Sequence, residues 1–198
     1  MSDRLGTEDE AMARYAAGDD GALAIVYDAV APRIYAYVLR RLGDASLSED
    51  VMQKTFLHMH RARATFVPGS LVAPWAFSIA KRVLIDAARS RTRHHSRFVA
   101  GPDGAEIAEA LSSEPDAESH VAARELGERA AALLEKMPSN QRDAFLLMRV
   151  DGLSVVEAAE VLGTTVSAVK LRAHRAYKAL ADAMGDFKPA WSDERSER

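Results

Sequence analysis

Between Val161 and Ala181 the chain carries four basic side chains, Lys170, Arg172, Arg175 and Lys178, and no acid. Cationic donors on one helix, with no carboxylate beside them, suit phosphate oxygens and the acceptor edges of bases. A second basic run, Lys81 to Arg97, sets Lys81, Arg82, Arg89, Arg91, Arg93 and Arg97 against the single acid Asp86, which can pair with a neighbouring arginine at helical spacing. It follows Trp75 and Ser78. Arginines that track a backbone beside a ring that stacks on unpaired bases suit a single nucleic-acid strand. The plainer alternative makes Trp75 a core residue and the arginines solvated surface. Upstream, Asp50, Gln53, Phe56 and Leu57 point one way on a helix. A Phe beside a Leu on a free surface suits a protein partner, unless another helix of the same domain covers them.

Other chemistry finds no constellation. There is no cysteine, which removes disulfides, thiol nucleophiles, Cys-ligated zinc and iron–sulfur clusters together. His58 and His60 are two apart and diverge on a helix, while His94, His95, His120 and His174 are scattered. No His-Glu-x-x-His pattern exists, so a metal-dependent hydrolase has no ligand set. No catalytic residue, metal, cofactor or small-molecule substrate is expected.

The elements that would carry the basic faces are helical. Ala and Leu are abundant, apolar residues recur at three and four, and β-branched alternation is scarce. The 198 residues hold 26 basic and 29 acidic side chains, a net charge of −3, so no uniform basic coat exists and local patches decide. From Ala100 to His120 there are six acids (Asp103, Glu106, Glu109, Glu114, Asp116, Glu118), no Lys or Arg, and breakers at Gly101-Pro102, Gly104 and Pro115. That composition reads as a flexible acidic linker, with room for a short turn near Ala105–Leu111. The expected architecture is all-α: a helical domain over 8–97, the linker over 98–119, a second helical domain over 120–184 and a charged tail over 185–198. No apolar run is expected to approach the ~18 residues of a membrane span. Met1 to Glu10 is acidic and lacks the apolar core of a signal peptide. A soluble, cytoplasmic protein without membrane insertion is expected.

The second domain holds the most specific local pattern. Ser154 and Glu157 form a capping box. Ala158, Ala159 and Leu162 give a close-packing face, Gly163 suits a left-handed helix end, and Thr164 or Thr165 can cap the next helix. Two helices joined by such a turn make a helix-turn-helix. On the second helix Val166, Val169, Ala173, Ala176 and Leu180 form one buried stripe at ~100° per residue. Ser167, Leu171, His174, Arg175 and Lys178 lie opposite, flanked by Lys170 and Arg172. In the first domain, Ser46 and Glu49 suggest another capping box, opening a helix to about Arg63 with Val51, Met52, Thr55, Met59 and Ala62 inward. A further helix is expected to begin at Trp75, after a loop with Pro68 and Pro74.

In order, Ser48–Phe56 (SEDVMQKTF), Pro74–Arg89 (PWAFSIAKRVLIDAAR), Leu134–Arg142 (LEKMPSNQR) and Gly152–Ala176 resemble the bacterial RNA polymerase sigma factors. The resemblance is to the small extracytoplasmic-function type of the sigma-70 family and covers about residues 10–183. It implies domains 2 and 4 of that family, with core RNA polymerase and promoter DNA as partners. It assigns polymerase binding to the helix of Asp50, Gln53 and Phe56, and Leu57, on the same outward face, is expected to join them. It assigns −10 melting and capture to the element that opens with Trp75 and carries Arg89, and Ser78, Arg82 and Arg93, read from its basic face, are expected to share that work. The −35 duplex falls to Ser167, Lys170, Leu171, Arg172, His174, Arg175 and Lys178. It also implies an anti-sigma factor, often membrane-anchored, that covers the same faces and holds the protein at the membrane. Arg82 stands where the family often has Asn, Leu171 where a small polar residue is usual, Ala168 where Thr is common and Lys54 where an acid is frequent. These departures bear on promoter sequence and polymerase contact. The competing reading is a conventional helix-turn-helix regulator with a helical partner-binding N-domain. It lacks a sensor pocket or receiver pattern.

Overall fold

The computed structural model describes residues 6–94 and 120–184, with side chains over 6–87 and 125–184. Among the described residues there are eight α-helices, one 3-10 turn and no strand. The chain divides into two compact units, within residues 1–100 and within 101–198. The boundaries expected at 97/98 and 119/120, the turn near Ala105–Leu111 and the tail lie outside the described residues.

The first unit contains α1 (Thr7–Ala16), α2 (Ala22–Leu42), α3 (Ala45–Ala62), a 3-10 turn (Arg63–Thr65) and α4 (Val72–His94). Helix α2 is the hub, packing on α1, α3 and α4. An 18-residue stretch of this 21-residue helix reaches a mean hydropathy of 1.4, enough by length and composition to cross a membrane, where the sequence reading expects no apolar run near that length. Here the apolar stripe Val26, Val30, Ile34 and Val38 is buried instead against the other helices of the unit. Asp28, Arg33, Arg40 and Arg41 interrupt the helix with charge. The core continues through Met12 and Tyr15 of α1, Val51 and Met59 of α3, and Ala76, Phe77 and Ala80 of α4.

Two helix starts differ from the sequence reading. Helix α3 begins at Ala45, capped by Asp44, whose carboxylate accepts from the Leu47 N–H at 3.0 Å. Ser46 therefore lies inside the first turn and forms no capping box with Glu49. Asp44 accepts well there because it is already extended (φ −135°, ψ 109°), the backbone an N-cap requires. Helix α4 begins at Val72 rather than Trp75. Pro74 sits in its first turn, where its missing N–H leaves no helix bond unmade.

The second unit contains α5 (His120–Lys136), α6 (Ser139–Arg149), α7 (Val155–Leu162) and α8 (Val166–Met184). Helix α8 packs against α5, α6 and α7. Leu134, Phe145, Leu146, Ala176 and Leu180 form its core cluster, with Met137, Val150 and Met184 against them. Gly152 (φ +68°) turns the chain between α6 and α7, and the Leu153 N–H bonds the Leu147 carbonyl at 2.9 Å.

Candidate nucleic-acid interface

The α7–turn–α8 unit forms as its residues dictate. The Ser154 hydroxyl accepts from the Glu157 N–H at 3.3 Å, and the Glu157 carboxylate accepts from the Ser154 N–H at 2.5 Å. Two orphan donors at the α7 N-terminus are thereby satisfied. Gly163 ends α7 at φ +64°, a conformation that favours glycine. Of the two threonines, Thr165 is the cap: its Oγ1 accepts from the Ala168 N–H at 3.2 Å.

Helix α8 then splits cleanly by face. Val169, Ala176 and Leu180 are buried, and Val166 and Ala173 are half-buried. Ser167, Lys170, Leu171, His174, Arg175 and Lys178 are exposed, while Arg172 is half-buried at the flank. Leu171 is 50% exposed amid cations, an apolar contact offered within a polar face. All seven candidates lie off the buried stripe, with long donors spread over two turns. A helix held by one side on three neighbours and cationic on the other can enter a major groove.

In the first unit the candidates divide. Asp50 and Gln53 are exposed on α3, and Leu57 is 45% exposed. Phe56 is half-buried, its ring 4.7 Å from that of Tyr27 on α2. The expected free Phe is therefore partly covered from within its own unit, and Tyr27, 44% exposed, joins the surface. Sequence reasoning missed Tyr27 because the contact joins residues 29 positions apart on different helices.

Trp75 is also half-buried, edge-on to Phe66 at 5.3 Å. It is thus both a packing residue and a rim residue. The Ser78 hydroxyl donates to the Trp75 carbonyl at 2.7 Å, leaving its oxygen free to accept. Arg82 is exposed one turn on. Arg89 and Arg93 belong to α4, but their side chains lie outside the described residues. Before α4, the turn at Val67–Ser70 holds Gly69 at φ +87° and presents Val67, 65% exposed, which the sequence reading did not single out. The Val-Pro-Gly run was the available signal.

Among the described residues no group of three or more His, Cys, Asp or Glu side chains is placed to hold a metal ion.

Two family models match the chain: Sigma-70 region 2 over residues 26–94 and Sigma-70 region 4 over residues 127–180. RNA polymerase sigma factor CarQ of Myxococcus xanthus is 30% identical over 178 residues, covering 89% of this chain and 97% of its own length. The ECF RNA polymerase sigma factor EcfG of Rhodopseudomonas palustris is 32% identical, covering 81% and 87%. RNA polymerase sigma factor NccH of Alcaligenes xylosoxydans xylosoxydans is 34% identical, covering 85% and 90%. Among solved structures, CnrH in complex with the cytosolic domain of CnrY is similar at TM-score 0.62 and 25% identity, covering 90% of this chain and 97% of that one. The sigma factor RpoE in complex with the anti-sigma factor NepR from Bartonella quintana shares the fold at TM-score 0.62 and 19% identity, covering 84% and 98%.

Proposed function

The chain belongs to the extracytoplasmic-function group of the sigma-70 family, and from that premise we propose how its exposed faces divide the work of starting transcription. It is a transcription initiation factor: it binds core RNA polymerase and directs it to specific promoters. The exposed side of α8 enters the major groove of the −35 element. Arg175 and Lys170 reach base edges, Leu171 and His174 lie between them, Ser167 opens the face, and Arg172 and Lys178 meet phosphate. The Asp50–Leu57 side of α3, widened by Tyr27, docks on core polymerase. The α4 rim captures the unpaired −10 strand: Trp75 offers its half-buried ring, Ser78 an acceptor, and Arg82, Arg89 and Arg93 track the backbone.

The observation that carries this division is the face contrast on α8, where Val169, Ala176 and Leu180 are buried while Lys170, Leu171, His174, Arg175 and Lys178 are exposed. The chain supplies no catalytic group; the polymerase makes the RNA. It works in the cytoplasm, where polymerase and promoters are. An anti-sigma factor covers the same faces when the protein is silent; RpoE from Bartonella quintana, which shares the fold, was solved with the anti-sigma factor NepR. The domain limits we assign are 8–97 for polymerase and −10 binding and 120–184 for the −35 element.

Site-specific photocrosslinking tests the division. A crosslinker at Leu57 should capture a core polymerase subunit, one at Leu171 the −35 duplex and one at Ser78 the strand near −10. A crosslinker at Leu171 that captures polymerase protein and no DNA would overturn the assignment of α8.

A further inference from the structure

Helix α1 lies before the matched region 2, which starts at residue 26. Two of its side chains nevertheless hold the two ends of the segment that leads into α4. At one end is Asp9, only 5% exposed. One of its carboxylate oxygens accepts from the Gly6 N–H at 2.9 Å, at the start of its own helix. The other accepts from the Val72 N–H at 2.7 Å, the first residue of α4. A single carboxylate thus satisfies orphan donors of two helices and places negative charge at the positive end of both. At the other end is Tyr15, 1% exposed. Its hydroxyl is hydrogen-bonded to Nδ1 of His60, in the last turn of α3. Arg63, which opens the 3-10 turn, donates to the His60 carbonyl at 2.9 Å and stands 5.8 Å from the Tyr15 ring centroid. Between these fixed points the chain makes the exposed Val67–Ser70 turn and enters the helix with Phe66 against Trp75.

We infer that α1 is a brace for −10 capture, with Asp9 and Tyr15 as positioning residues that fix the direction of α4 and the seat of Trp75. This rests on the reading that α4 captures the −10 strand. Neither side chain needs to touch DNA: Asp9 acts through the Val72 N–H, and Tyr15 through His60 and Arg63. Without Asp9, the first turn of α4 has a buried donor with no acceptor, and the helix start is free to fray by a turn. A fray of that length reaches Trp75, three residues on.

The test uses the full chain with core polymerase and compares promoters differing only in the −10 element, then promoters differing only in the −35 element. Asp9→Ala should compress the −10 preference by about tenfold, the scale set by losing a hydrogen bond to a charged group. Its −35 preference and its affinity for core polymerase should remain as in the parent. Asp9→Asn retains an acceptor oxygen for the Val72 N–H and should restore most of the preference. Tyr15→Phe removes only a hydroxyl and should compress the same preference by about threefold. It decides the matter if Asp9→Ala does not fold. Trp75→Ala is the reference. If Trp75→Ala compresses the −10 preference while Asp9→Ala and Tyr15→Phe do not, the brace is wrong and the reading of α4 stands. If all three leave it unchanged, the reading of α4 fails and takes the brace with it. Reduced thermal stability and polymerase affinity with an intact −10 preference would make α1 a structural element only.

Discussion

The rings of Tyr27 and Phe56 meet 4.7 Å apart, inclined by 47°, across the contact between α2 and α3. Phe56 therefore serves two ends at once: it ties α3 to α2 and lends its outer edge to the surface that carries Leu57, Asp50 and Gln53.

This double role separates two substitutions. Phe56→Ala should weaken core polymerase binding by about 1–3 kcal/mol, as an interface anchor does, and should also lower stability. The lost ring pair accounts for about 0.5–1.5 kcal/mol of the stability change. Leu57→Ala should weaken polymerase binding with a smaller fall in melting temperature than Phe56→Ala, because Leu57 is 45% exposed while Phe56 packs its ring on Tyr27. Polymerase titration paired with thermal unfolding distinguishes them. Equal losses of stability in both variants would place Leu57 in the core and remove it from the interface.

The turn of the helix-turn-helix is held by local chemistry that substitution can remove piece by piece. Ser154→Ala should cost about 1 kcal/mol of stability through the lost cap. Gly163→Ala should cost a similar amount, about 1 kcal/mol, because its φ of +64° strains any residue with a Cβ although the space around it is open. Denaturant unfolding of the full chain measures both. A neutral Gly163→Ala would mean that the turn relaxes away from the left-handed conformation.

The helix-turn-helix was legible in the sequence because each of its signals is local. Ser154 and Glu157 are three residues apart, Gly163 follows the last apolar position, and the stripe from Val169 to Leu180 repeats within one helix. The start of α4 was not legible, since its N–H is accepted by Asp9, 63 residues away. Ser46 looked like a cap because Ser and Glu stood at the right spacing, yet Asp44, two residues earlier, took the position. The burial of Phe56 and Trp75 depended on Tyr27 and Phe66, and a helical wheel drawn for one helix does not contain its neighbour. The exposed α8 face was read residue by residue as it stands, because burial there follows the wheel.

On α8, reading and holding should separate. Arg175→Ala should cost about 1–3 kcal/mol and relax the preference at one or two −35 base pairs, since an arginine can bond both major-groove acceptors of a guanine. Lys178→Ala should weaken all promoters alike and reduce the salt slope by about one charge. Promoter selection at two salt concentrations reads both effects. An unchanged −35 preference in Arg175→Ala, together with an altered one in Lys178→Ala, would reverse the two assignments.

In-vitro transcription on a genomic promoter library, with core polymerase and the full chain added separately and together, tests the central claim most directly. Only the mixture should start transcription, at a defined set of promoters sharing a −35 and a −10 element. Specific binding of the chain to duplex DNA, with no association with core polymerase and no promoter-directed RNA, would contradict it.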